Sequence, residues 1–148
     1  MADSPEKLMR WTDSELGELT WEDGVWVGRT QFGGREVRLE IDPDRKAPTL
    51  DEQLAAIKPA RHLLAALRAA EPELRRQASA QIAEAVAEQR PVPDLLGDRF
   101  AATLALESVC LHGCGELHYR SAEFFPGELI TVYFNDDLSF GDAEVYEG

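Results

Sequence analysis

The hydrophobic residues of this 148-residue chain change their spacing twice. Between residues 19 and 42 apolar side chains alternate with polar ones, as on a half-buried strand. From residue 49 they recur every three or four positions, as on one face of a helix, and after residue 104 they return to strand-like runs. A chain that passes from strands to helices and back to strands is typical of an α+β domain, in which helices cover one side of a sheet.

The segment 19–42 predicts three short antiparallel strands joined by two hairpin turns. From Glu36 to Asp42 charged and apolar residues alternate strictly, so this sheet is expected to have one apolar face and one solvated face. Two dipeptides supply residues that accept the positive φ of tight turns: Asp23-Gly24 and Gly33-Gly34.

The segment 49–103 predicts two helices packed as an αα-hairpin, followed by a short third helix from Asp98. Thr49 and Glu52 have the spacing of a capping box, which marks the start of the first helix. Pro59 is expected to kink or split that helix. The second helix is predicted to begin near Pro72, because proline is favoured in a first turn.

The segment 104–146 predicts a C-terminal meander of strands. In its last strand the apolar residues occupy even positions before Gly141 and odd positions after it. A β-bulge at Gly141 would restore a single apolar face, since glycine accepts the positive φ of such a bulge. Asp142 and Glu144 would then point outward together.

These patterns predict a single α+β domain over residues 1–148. Its core is an antiparallel sheet of about six or seven strands with the αα-hairpin packed on one face. The content of hydrophobic residues, 44%, is sufficient for a sizeable core. No apolar run is long enough for a signal peptide or a membrane span, so a cytoplasmic protein is expected.

The net charge of −13 argues against nucleic acid and anionic membranes as partners, since both require clustered lysine and arginine. A basic protein is the expected partner. The charge is concentrated in residues 104–148, which hold nine acidic residues and one basic residue, Arg120. Within the final stretch "YFNDDLSFGDAEVYEG" we expect four carboxylates to contact that partner: Asp136, Asp137, Asp142 and Glu144.

The C-terminal segment also contains residue types that bind zinc or calcium. Four potential zinc ligands lie within nine residues: Cys110, His112, Cys114 and His118. The paired C-x2-C spacing of zinc sites is missing, so ordinary hairpin residues are the favoured interpretation. The four C-terminal carboxylates do not match a calcium-binding loop either. No metal and no cofactor are expected.

The sequence contains none of the common catalytic motifs, such as G-x-S-x-G, a phosphate-binding P-loop or H-E-x-x-H. We therefore predict a protein without enzymatic activity. The alternative is a metal-dependent or hydrolytic enzyme that uses His112, Cys114 and His118. A third hypothesis is that the charge only maintains solubility and the domain is an assembly subunit.

The stretch "SAEFFPGE" (121–128) is interpreted as a loop between strands. Phe124 and Phe125 are adjacent, and neighbouring residues of an extended segment point to opposite sides. One of the two rings is therefore a candidate anchor for a partner, and the other interpretation is a loop folded over the core.

The stretches "FGGREVRLEID", "DRFAATLALESVCLHGCGELHY" and "DDLSFGDAEV" occur in this order, with two predicted helices between the first and the second. In this arrangement, over residues 19–146, the chain resembles the bacterial proteins grouped as domain of unknown function 2262 and their relatives. That family has an aromatic-Gly-His signature near its C-terminus. Here the place is taken by Phe140, Gly141 and Asp142, so no role of that histidine carries over. The resemblance implies an α+β domain without established catalytic residues.

Size, acidity and the missing catalytic motifs lead to one functional hypothesis: an acidic binding protein. Its most specific form is a cytoplasmic immunity protein that neutralises a basic bacterial toxin. The four C-terminal carboxylates would speed the encounter with the partner, and Phe124 or Phe125 would slow its dissociation.

Overall fold

The computed structural model describes residues 9–43, 49–86, 98–111 and 115–147. Four strands precede the helices: β1 (Arg10–Asp13), β2 (Gly17–Glu22), β3 (Val25–Phe32) and β4 (Arg35–Ile41). Three helices follow: α1 (Leu50–Ala55), α2 (Ile57–Val86) and α3 (Asp98–Thr103). Four further strands complete the fold: β5 (Ala105–Leu111), β6 (Glu116–Ser121), β7 (Phe125–Phe134) and β8 (Phe140–Glu147).

In the described part of the chain all eight strands form one sheet, in the order of the sequence. Every neighbouring pair is antiparallel except β4 and β5, which are parallel. A parallel pair needs a crossover connection, and the helical segment supplies it. The α+β class and the mostly antiparallel sheet are confirmed. The predicted count of six or seven strands was wrong, because β1 has only four residues and no apolar alternation.

The predicted turns and the first cap are confirmed. Gly24, Gly33 and Gly34 all have positive φ in the β2–β3 and β3–β4 turns. The Thr49 side chain accepts a hydrogen bond from the Glu52 amide, and the Glu52 carboxylate accepts one from the Thr49 amide, which completes the capping box. The helix divides just before Pro59, since α1 ends at Ala55 and α2 begins two residues later.

The predicted αα-hairpin was wrong, because α2 is one long bent helix that continues through Pro72. Proline in a helix interior removes one backbone hydrogen bond and bends the helix. The stripe of buried residues nevertheless continues past it: Leu67, Glu71, Leu74 and Ala78. Burial of that stripe against the sheet offsets the cost of the proline. The stripe of buried residues therefore indicates the continuous helix, whereas the proline alone would predict a break.

α2 spans the width of the sheet, because it contacts strands at both edges. Near its start Arg61 pairs with Asp13 at the end of β1, at 2.5 Å. Near its end the Gln81 amide donates to the Asp142 carboxylate on β8, at 2.6 Å. One face of the sheet thus packs on the helix. Its buried residues include Trp26, Leu39, Val109, Leu117, Tyr119, Ile130 and Val132.

The bulge predicted in the last strand is confirmed, but its reason was wrong. Tyr133 lies opposite Asp142, whereas Phe134 lies opposite Phe140, so Gly141 is the additional residue. Gly141 is not among the residues with positive φ. A Cβ atom at this position would lie 3.0 Å from the Tyr133 carbonyl oxygen. Close approach of two backbones is therefore what favours glycine here.

The face of the sheet that is turned away from α2 carries polar and charged side chains. Across it run rows of residues that are opposite one another on successive strands. One row joins Arg38, Ser108, His118, Thr131 and Glu144. We call this surface the open face. None of the helices in the described ranges combines the length and the apolar character needed to cross a lipid bilayer.

Candidate functional site

The turn between β7 and β8 holds the first two predicted partner contacts. Its backbone is closed by a hydrogen bond from the Leu138 amide to the Asn135 carbonyl, at 2.8 Å. Asp137 is used within the turn, because its carboxylate accepts from both the amide and the hydroxyl of Ser139. These bonds hold the pKa of Asp137 below its ordinary value. Asp136 is exposed beside it.

Asp142 lies directly after the bulge and at the edge of the sheet. The Gln81 amide of α2 and the Ala143 backbone amide both donate to its carboxylate, and they lower its pKa. Both donors are neutral, so the negative charge of Asp142 is solvated and oriented but not cancelled. The bulge at Gly141 sets the orientation of both residues, since it brings Ala143 to the buried face of the sheet and Asp142 to the open face.

Glu144 lies on the open face beside a pair of tyrosines. The Tyr133 hydroxyl lies 3.4 Å from the Glu144 carboxylate and 3.0 Å from the Tyr146 hydroxyl. Partial burial, and then the nearby carboxylate of Glu144, raise the pKa of Tyr133. Tyr146 is 42% exposed, and few large hydrophobic side chains of the described residues are as accessible to solvent. Glu144 is thus adjacent to an aromatic surface that is accessible to a partner.

The four predicted carboxylates lie along one border of the protein, which we call the acidic edge: Asp136, Asp137, Asp142 and Glu144. Two belong to the β7–β8 turn and two to β8. Within the described residues, none of the four has a lysine, arginine or histidine within salt-bridge distance. The acidic edge is therefore a row of charges without counter-charges in the described structure.

The acidic edge coincides with a terminal strand of the sheet. β8 pairs with residues Glu128 to Phe134 of β7, and no other described strand pairs with the outer side of β8. The opposite terminal strand, β1, has four residues where β8 has eight. The longer unpaired strand edge is thus the acidic one.

Phe125 is a core residue, so the proposed anchor role does not apply to it. It begins β7, is 4% exposed, and its ring lies 5.6 Å from that of Phe100. Phe124 also packs on Phe100, but it is only half buried and lies under the Arg99 guanidinium, which pairs with Glu123. The register of β6 against β7 is irregular between Tyr119 and Ser121, and Ser121 lies opposite Phe125. Phe124 alone remains a candidate anchor.

The four potential zinc ligands are only partly described, since His112 and Cys114 lie outside the described residues. Cys110 is half buried on β5, and burial followed by the carboxylates of Glu40 and Glu116 raises its pKa to about 12. Its thiol is therefore protonated at neutral pH when no metal is bound. Within the described ranges, no three acidic, histidine or cysteine side chains are grouped so as to hold a metal ion.

His118 has two hydrogen-bonding partners that were not predicted from the sequence. Its Nδ1 lies 2.6 Å from the Ser108 hydroxyl, and its Nε2 lies 3.2 Å from the Glu116 carboxylate. The three residues meet because β5 and β6 pair with Ser108 opposite His118, next to a bulge at Glu107. A serine, a histidine and a carboxylate in a chain of hydrogen bonds are the elements of a hydrolytic site. The strand register brings Ser108 to His118, whereas Glu116 lies two residues from His118 on the same strand.

A cleft of about 480 Å³ lies between the start of α2 and the β7–β8 turn. Leu63 and Leu138 supply apolar walls, and Asp136 and Asp137 lie at its border with His62. Leu138 has a φ of 66°, which is uncommon for a residue with a side chain. The cleft was not predicted, because its walls come from segments about 70 residues apart in the sequence.

No protein-family model, curated protein sequence or solved structure matches this chain. The resemblance to the domain of unknown function 2262 family therefore stays a prediction.

Proposed function

We propose that this protein binds a basic protein through the acidic edge. The observation that carries the proposal is the row of four exposed or half-exposed carboxylates, none paired with a base in the described structure, along an unpaired terminal strand. Like charges placed together repel one another and contribute nothing to folding by themselves. A cationic partner would remove that repulsion, and its approach would be accelerated by the field of the edge.

The tyrosines beside Glu144 support the same surface. Interfaces are rich in tyrosine, because its ring buries apolar area and its hydroxyl still finds a hydrogen-bond partner. Tyr133 and Tyr146 lie next to the acidic edge on the open face. In this proposal the carboxylates set the rate of association and the tyrosines, with Phe124 on a neighbouring segment, set the rate of dissociation.

The specific form of the proposal is an immunity protein that acts in the cytoplasm on a basic bacterial toxin. A nuclease toxin presents a cationic surface to its substrate, and an acidic edge is complementary to such a surface. The net charge of −13 and the absence of common catalytic motifs from the sequence support this form. Membership of the domain of unknown function 2262 family is part of the same proposal.

The test is the rate of association with a purified toxin domain that has a cationic active site, measured by stopped-flow fluorescence at several salt concentrations. The double variant Asp142→Lys/Glu144→Lys should associate about tenfold more slowly at low salt, and the difference should shrink as salt rises. The matched control is Glu18→Lys/Glu22→Lys, which makes the same change of charge on β2 at exposed positions. Equal slowing by both variants would mean that only net charge matters. No slowing by Asp142→Lys/Glu144→Lys would refute binding through the acidic edge.

A second candidate function is hydrolysis at Ser108, and the hydrogen-bonded chain through His118 to Glu116 favours it. In this alternative His118 takes the proton of the serine hydroxyl and Glu116 orients the imidazole. A fluorophosphonate probe should then label the protein at Ser108, and Ser108→Ala should abolish labelling. Absence of labelling in the unchanged protein would reject this function, and it would leave the binding proposal intact.

A further inference from the structure

We propose that the basic partner contributes an extended segment that pairs with β8 as a ninth strand of the sheet. This inference rests on the proposed function and specifies how the partner is held. A terminal strand presents backbone N–H and C=O groups along its outer side, and these groups are a ready site for another strand. In the described structure β8 is the longer of the two terminal strands, with eight residues.

The accessible part of β8 follows Asp142. At its start the bulge at Gly141 disrupts the ladder, and Gln81 reaches across the edge to Asp142. Beyond that point the strand is regular, because residues 143–147 continue in strict register with β7 up to Glu147 opposite Glu128. About five residues are therefore available, which is a usual strand length.

The side chains of β8 determine what the added strand must carry. Asp142, Glu144 and Tyr146 alternate on one side of the strand, opposite Tyr133, Thr131 and Leu129 of β7. An added strand would place its own alternate residues beside them, at the distance at which cross-strand pairs interact. Lysine or arginine at alternate positions would meet the two carboxylates, and their aliphatic stems would cover the tyrosine ring.

The same charges exclude a second copy of this chain as the occupant. Pairing of β8 with β8 would bring Asp142 and Glu144 of one copy next to those of the other, and like charges on adjacent strands are destabilising. Charged side chains on terminal strands are a common protection against self-association. On β8 they protect against self-pairing and favour a cationic segment.

The test uses two synthetic eight-residue peptides of alternating lysine and valine. One is unmodified, and the other is methylated on every backbone nitrogen, so that it has the same charges and cannot donate backbone hydrogen bonds. We expect the unmodified peptide to bind at least about tenfold more tightly at low salt, because several backbone hydrogen bonds are lost with the methylated one. Amide hydrogen exchange should slow at residues 143–147 with the unmodified peptide alone.

The outcomes separate this inference from the proposed function. Slowed exchange in β8 together with weaker binding of the methylated peptide supports strand addition. Equal binding of the two peptides, or exchange that slows elsewhere, overturns strand addition and leaves electrostatic binding by the acidic edge. If neither peptide binds, strand addition is also overturned, and the rate of association with the toxin domain decides the proposed function independently.

Discussion

Two groups of carboxylates in this protein differ in what lies beside them. Between α2 and the sheet, each carboxylate has an arginine: Asp13 pairs with Arg61 and Glu71 pairs with Arg75. Along the acidic edge, the carboxylates of the described structure have serine, glutamine or tyrosine neighbours and no base. The first group stabilises the fold. The second is solvated and has no counter-charge in the described structure, and this is the reason to look for its role in binding.

Burial explains why the first group must be paired. Glu71 is 7% exposed, and it accepts hydrogen bonds from the Tyr119 hydroxyl at 2.7 Å and from Arg75 at 2.8 Å. Burial, and then the Glu71 carboxylate, raise the pKa of Tyr119, so the phenol stays protonated and donates. A buried charge without such partners would cost several kcal/mol. The acidic edge is solvated, so no such requirement applies there.

The largest expected effect comes from breaking the buried cluster. Glu71→Ala removes the acceptor of both Tyr119 and Arg75, and it should lower the free energy of unfolding by about 3 kcal/mol. Urea denaturation followed by circular dichroism measures this change. The matched control is Glu73→Ala on the same helix, where the Glu73–Arg76 pair is exposed and should contribute far less. Equal effects of the two variants would contradict the distinction between buried and exposed pairs.

A smaller effect is expected at Asp13, and it should depend on pH. Burial alone would raise the pKa of Asp13, but hydrogen bonds from Arg61 and from the Leu16 and Glu15 amides outweigh it and leave the pKa below its ordinary value of 3.8. The ionised form therefore stabilises the fold above pH 3.8, and this contribution is lost as the pH falls through the lowered pKa. Asp13→Asn should cost about 2 kcal/mol at pH 7.

The same Asp13→Asn variant should approach the unchanged protein in stability as the pH falls from 3.8 through the lowered pKa of Asp13, because the Asp13 carboxyl is then neutral as well. Urea denaturation between pH 7 and pH 2.5 measures the difference. Glu15→Gln is the control, since Glu15 is exposed beside it and has no hydrogen-bonded carboxylate. A difference that stays constant with pH would show that the charge of Asp13 is not what stabilises this corner.

The smallest effect is expected at the acidic edge. Asp136→Asn with Glu144→Gln removes two charges that repel their neighbours, so the melting temperature should rise by about 1 °C at low salt and the rise should vanish at 1 M salt. Differential scanning calorimetry measures both values. A fall in melting temperature would mean that these carboxylates stabilise the fold, and the contrast between the two groups would then be lost.

The candidate site was only partly predictable from the sequence. The carboxylates of the acidic edge were indicated by composition, since charge is read directly from residue type. Tyr146 had an available signal, because it shares the parity of Asp142 and Glu144 on β8. Ser108 had none, because its meeting with His118 depends on the register of β5 against β6. Glu116 had a signal, since it lies two residues from His118 on the same strand and therefore on the same face. The sequence left open which of Phe124 and Phe125 is the anchor, and the structure shows that Phe125 is buried.

The sequence by itself determined the passage from strands to helices and back to strands, the two hairpin turns, the first helix cap and the bulge at Gly141. These depend on neighbours within a few residues, where hydrophobic period and backbone sterics dominate. Only the tertiary structure decided that α2 continues through Pro72, that β4 and β5 pair in parallel, and that the acidic edge is a terminal strand. Each of these depends on contacts between distant segments, whose burial energy outweighs local preference.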